Sequence, residues 1–63
     1  MIKEELYGKK VKIIDMSGKE WAGIVEEISY SQDEGEENEL MIPYAGGLVL
    51  FRESDIKDIK VIK

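Results

Sequence analysis

The run Gly18-Lys19-Glu20-Trp21-Ala22-Gly23-Ile24-Val25 sets a glycine in the middle of a segment whose inward-facing positions recur with period two. That period specifies a strand with one buried face, and an interior glycine weakens a strand unless the chain bends there or another backbone passes close by. A second run, Phe51-Arg52-Glu53-Ser54-Asp55-Ile56, places a short polar break between two apolar stretches. It reads as a tight corner the size of one 3₁₀ turn. Each run describes one end of a small, strongly bent β-barrel.

The rest of the chain completes five short strands. Val11 and Ile13 face one way in the first, with Lys12 opposite, and Met16-Ser17-Gly18-Lys19 supplies the turn chemistry of a hairpin. The second covers 20–30: Trp21, Gly23 and Val25 point inward, then the phase slips so that Ile28 and Tyr30 do, which predicts a bulge near Glu26-Glu27. Leu40-Met41-Ile42 forms the third strand, closed by Pro43, which lacks the ladder N–H. Ala45-Gly46-Gly47 turns the chain into the fourth, Leu48-Val49-Leu50-Phe51, and 56–62 is the fifth. At the front, residues 2–7 form one amphipathic helical turn that lids the barrel with Ile2, Leu6 and Tyr7 and ends at Gly8.

A chain of 63 residues is one domain, 1–63, and buries only roughly 60% of the surface it exposes when unfolded. With no cysteine, neither a disulfide nor a thiolate metal site supplements so small a core. No apolar run approaches the roughly 20 residues of a membrane span. The start, Met1-Ile2-Lys3-Glu4-Glu5, is too polar for a signal peptide, so the expected location is cytoplasmic.

Net charge is −5, and five of the acids, Asp33, Glu34, Glu36, Glu37 and Glu39, fall within residues 31–39, leaving nine acids against nine bases elsewhere. The acidity is therefore local, as in a solvated, mobile loop. Asp33-Glu34-Gly35-Glu36-Glu37 lacks the alternating ligand spacing of a Ca²⁺ loop, so no metal is expected. Lys9, Lys10 and Lys12 read as a solvated basic face. Trp21 belongs to the core with its indole N–H satisfied at the barrel edge, and Tyr7, Tyr30 and Tyr44 half-bury their rings. Asp15 sits where the alternation points inward, so its carboxylate is expected to cap the first turn.

Val11-x-Ile13 leading into Gly18-x-x-Trp21-x-Gly23-x-Val25-x-x-Ile28 resembles the first motif of the Sm-like (Lsm) family, and Phe51-Arg52-Glu53-Ser54-Asp55-Ile56-Lys57-Asp58-Ile59 is similar to the second, hydrophobic-Arg-Gly-x-x-Ile-x-x-Ile. The resemblance covers residues 6–62. It implies an all-β, five-stranded, SH3-like barrel with a short N-terminal helical turn, joined side by side through its fourth and fifth strands into rings that bind RNA. Arg52 matches the family's RNA-binding arginine. Ser29, Ser31 and Asp33 stand where the family has an aspartate, a stacking residue and an asparagine, and Glu53 replaces the glycine after the arginine. Serine cannot stack on a base, and five carboxylates within a Debye length of ~8 Å oppose a phosphate-tracking groove.

With no histidine and no cysteine, the chain lacks the commonest general base and the strongest nucleophile, and it has no Gly-rich phosphate loop. The expectation is a non-enzyme with no catalytic residues, no cofactor and no small-molecule substrate. Leu48-Val49-Leu50-Phe51 is apolar on both faces, so one face fills the barrel and the other meets a second copy, with Leu48, Leu50, Ile59 and Val61 at the interface. The competing reading has Leu6 and Tyr7 cover that face within one chain. A basic protein partner for the acidic loop is a further expectation, RNA is disfavoured, and no membrane is involved.

Overall fold

A computed structural model describes residues 2–62, with Met1 and Lys63 outside the description. The strands are β1 (Lys10–Asp15), β2 (Glu20–Ile24), β3 (Glu27–Ser29), β4 (Glu39–Tyr44), β5 (Gly47–Arg52) and β6 (Ile56–Val61). They form two three-stranded antiparallel sheets, ordered β2-β1-β6 and β3-β4-β5. The all-β expectation holds, but with six strands in two sheets where five in one barrel were expected. No described helix is long and apolar enough to cross a membrane.

The extra strand arises because the stretch over 20–30 changes partners midway. Val25 still exchanges backbone hydrogen bonds with the segment preceding β1, donating to Lys9 O and accepting from Gly8 N, both at 3.0 Å. The next residue, Glu26, donates instead to Met41 O of β4 at 3.0 Å. A switch of sheet between adjacent residues interrupts the ladder, so the feature near Glu26-Glu27 is a strand break and not a bulge. The phase slip is present: Trp21, Gly23 and Val25 face inward before the break and Ile28 after it. Tyr30 does not follow Ile28 inside. It lies beyond the end of β3 with no strand beside it and is 49% exposed.

The register explains the core. Ile28, Leu40 and Phe51 form one inward row across β3-β4-β5, and Trp21, Ile13 and Ile59 form another across β2-β1-β6. Val11, Ile13, Val25, Leu40 and Ile42 are fully buried, and Ile2, Phe51 and Ile56 nearly so. The one register shift lies between β1 and β6, where Ile14 opposes Asp58 and Asp15 opposes Ile56, leaving Lys57 as the extra residue. That bulge turns Asp58 out while keeping Ile56 in the core.

Pro43 does not end its strand. Tyr44 and Gly47 pair across a two-residue loop, Ala45-Gly46, whose φ values of 51° and 83° suit a type I′ turn. Ladder bonds alternate along an antiparallel pair, so Pro43, opposite Leu48, falls where no N–H is required.

At the front, a 3₁₀ turn over Glu4–Leu6 buries Ile2, half-buries Leu6 and ends at Gly8, whose φ is 76°. Tyr7 does not join the lid and is 62% exposed. A second 3₁₀ turn, Glu53–Asp55, links β5 to β6 as the sequence predicts.

Candidate functional site

On the outer face of β3-β4-β5, the pairing sets Ser29, Glu39 and Arg52 in one cross-strand row. This row borders a groove of about 370 Å³ lined by Ser29, Tyr30, Ser31, Gly35, Glu36, Glu37, Glu39 and Arg52. Three of the four residues matched to the Sm-like RNA site, Ser29, Ser31 and Arg52, therefore meet in one place. Asp33 does not line the groove, although its N–H and C=O both bond the Ser31 hydroxyl, at 3.3 and 3.1 Å.

The groove's charges are arranged against an anionic ligand. Arg52 Nε donates to Glu39 Oε2 at 3.2 Å, so the one cation among the described residues lining the groove is paired with a carboxylate, and Glu36 and Glu37 add two more negative charges. Ser31 donates through Oγ to Glu36 Oε2 at 3.3 Å, and its N–H is held by Asn38 Oδ1 at 2.9 Å. Glu37 reaches across to the second 3₁₀ turn, accepting from Ser54 N at 2.7 Å through Oε1 and from Ser54 Oγ at 2.9 Å through Oε2. The acidic segment is thus tied at both ends by side-chain hydrogen bonds, to Ser31 and to the second 3₁₀ turn. Among the described residues, no three carboxylates gather to hold a metal ion.

Glu53, where the family resemblance calls for glycine, has a structural role. Its Oε2 accepts the Ile2 N–H at 3.0 Å, and this bond is the main cause holding its carboxyl below the usual range. The residue following Arg52 therefore anchors the amino-terminal segment to the second 3₁₀ turn. No sequence signal announces it, because the two partners are 51 positions apart.

A second cluster surrounds the first turn. Asp15 Oδ1 accepts from Ser17 N and Lys19 N, both at 2.9 Å, and from Ser17 Oγ at 2.6 Å, while Oδ2 accepts the Trp21 indole N–H at 2.9 Å. The expected cap and the expected satisfied indole are supplied by the two oxygens of one carboxylate. Ser17 and Trp21 lead the causes that lower the Asp15 carboxyl to about 2. Trp21 packs edge-on against Tyr44 and Phe51, with centroids 4.8 and 5.4 Å away, and Lys19 Nζ lies 4.2 Å above the indole. The aromatic seat for Lys19 went unseen in the sequence, where an i, i+2 spacing running from the turn into β2 is its only trace.

Of the proposed interface residues, Leu48, Leu50 and Val61 are exposed, at 53%, 40% and 53%. Ile59 is not available, because its register position opposite Ile13 turns it toward the core, where it is half-buried. The first 3₁₀ turn does not cover Leu48 or Leu50. Of the basic cluster, Lys9 and Lys10 are exposed and Lys12 pairs with Glu20 on the outer face of β2-β1-β6.

No protein-family model, curated protein or solved structure matches this chain.

Proposed function

We propose that this chain is a non-enzymatic, cytoplasmic Sm-like interaction module, a strongly bent small barrel that self-associates through the free edges of β5 and β6. The observation that carries this reading is the state of β5, which pairs only with β4 and shows Leu48 and Leu50 to solvent. Pro43 and half-buried Met41 lie opposite them on the same outer face, so the apolar surface extends beyond one strand. A neighbour's strand would satisfy the unpaired backbone groups of the edge and cover these side chains together. Val61 adds an exposed apolar residue to β6, itself paired only with β1.

The barrel reading is supported by the bend from β2 to β3, which passes the chain between the two sheets, and by the tight β5-to-β6 corner. RNA binding through Arg52 is the alternative, and the pairing of that arginine with Glu39 argues against it.

Sedimentation analysis across micromolar concentrations tests the proposal. A species larger than the 7.2 kDa monomer is expected, returned to monomer by Leu50→Glu. A monomer at every concentration overturns self-association, and tight, salt-sensitive RNA binding by that monomer would favour the alternative.

A further inference from the structure

The Glu4–Leu6 turn and the end of β3 enclose a cleft of about 510 Å³, lined by Glu4, Glu5, Tyr7, Ile28 and Tyr30. Its two tyrosines are largely free of the core, whereas Ile28 is half-buried and packs against it. Aromatic rings attract cations to their faces within about 6 Å, and exposed rings backed by apolar surface also receive the aliphatic stem of a long basic side chain.

This chain already shows such an arrangement once. The Trp21–Tyr44 pair is occupied by its own Lys19, with Nζ 4.2 Å from the indole centroid and 5.9 Å from the Tyr44 ring. At the Tyr7–Tyr30 cleft, no cation among the described residues takes that place, and no described side chain bonds the carboxylate of Glu4 or Glu5. Partial burial first, and the charge of Glu4 second, push up the Tyr30 hydroxyl, so the carboxylate acts on the ring's own site. Tyr30 also lines the neighbouring groove that holds Glu36, Glu37 and Glu39. A chain leaving the cleft past Tyr30 meets further negative charge.

We infer that the Tyr7–Tyr30 cleft binds a cationic side chain of an arginine- or lysine-rich protein segment, its stem against the tyrosine rings and Ile28 and its head beside Glu4 and Glu5. Apolar and aromatic walls suit an organic cation with a stem better than a bare metal ion. The cleft adjoins β3, across the sheet from β5, so this binding does not depend on the self-association proposed above.

Titration of the isotope-labelled full chain with a capped peptide of alternating arginine and glycine, followed by amide chemical shifts, tests the inference. Shifts are expected at residues 4–7 and 28–30. Tyr30→Leu is expected to weaken binding about 3- to 10-fold, while Tyr30→Phe retains it because the ring face survives. Glu4→Gln combined with Glu5→Gln is expected to weaken it as well. All three positions, Glu4, Glu5 and Tyr30, are solvent-facing, and an unchanged urea midpoint verifies that each variant folds. The inference is overturned by an absence of shifts, by shifts confined to residues 33–39, by equal binding of the glutamate-for-arginine control peptide, or by Tyr30→Leu binding as tightly as wild type.

Discussion

Asp15 accepts four hydrogen bonds, and every one of them favours the ionised carboxylate. Its folded value of about 2 lies below the ordinary 3.8, so the sign of its contribution follows directly. Stability from this group is fully present above the unfolded value and is lost as pH falls from about 4 toward 2. Asp15→Asn replaces one acceptor oxygen by a donor that faces either the turn N–H groups or the indole. The variant is expected to unfold at lower urea than wild type at neutral pH, with the gap closing as both are taken to pH 2; a constant gap would show that the charge is irrelevant. Gly23 poses a different question, since its backbone needs no left-handed conformation. A Cβ there would sit 3.4 Å from Ile42 Cβ and 3.6 Å from the Pro43 carbonyl oxygen, which is ordinary contact. A single Cβ is therefore tolerated at the bend. Gly23→Ala should be close to neutral, whereas the γ-methyls of Gly23→Val overpack the β2–β4 contact and should cost about 1–3 kcal/mol by urea unfolding.

The elements show where sequence reasoning succeeds and where it stops. Period-two alternation located β1 and β2 because their buried rows are set by local geometry, continuous apolar runs marked β4 and β5, and the Glu53–Asp55 corner was visible as a polar break between apolar stretches, whereas β3 was not told apart from β2. The break at Val25–Glu26 was visible only as a phase slip, since the sequence does not say whether a slip is absorbed by an extra residue or by a change of partner strand. Side-chain contacts across long separations left no signal at all: Glu37 with Ser54 is 17 positions apart and Ile2 with Glu53 is 51. Motif spacing singled out Arg52, Ser29 and Ser31, which line one groove, but the bonds of Arg52 to Glu39 and of Ser31 to Asn38 and Glu36 had no trace in it. The Glu37 bridge makes the loop over 31–38 a braced element. Glu37→Ala removes both bonds to Ser54, and backbone order parameters there are expected to fall below about 0.6 while the strands stay near 0.85. An unchanged loop would assign the bracing to Asn38 instead.

At the scale of the whole molecule, eight buried apolar residues among the described residues make up the core. A domain of this size is expected to be stable by only about 3–9 kcal/mol. Meanwhile Leu48, Leu50 and Val61 remain in water along two unpaired edges, so association offers burial that the monomer cannot provide. Anything that binds only the folded state raises the melting temperature with its concentration, and a second copy is no exception. Melting temperature is therefore expected to rise with protein concentration in the wild type and to be independent of it in Leu50→Glu. The net charge of −5 determines how salt acts on this. Two like-charged bodies repel, and raising ionic strength from about 0.01 M to 0.15 M shortens the screening length from about 30 Å to about 8 Å. Self-association driven by Leu48 and Leu50 should thus strengthen with added salt. Binding of a polyanion through Arg52 and the lysines would weaken, because it releases counterions. Melting temperature followed against protein concentration and against added RNA, each at low and at moderate salt, separates the two readings by sign: a protein-concentration dependence that is absent, or that vanishes as salt is added, would remove apolar self-association from consideration.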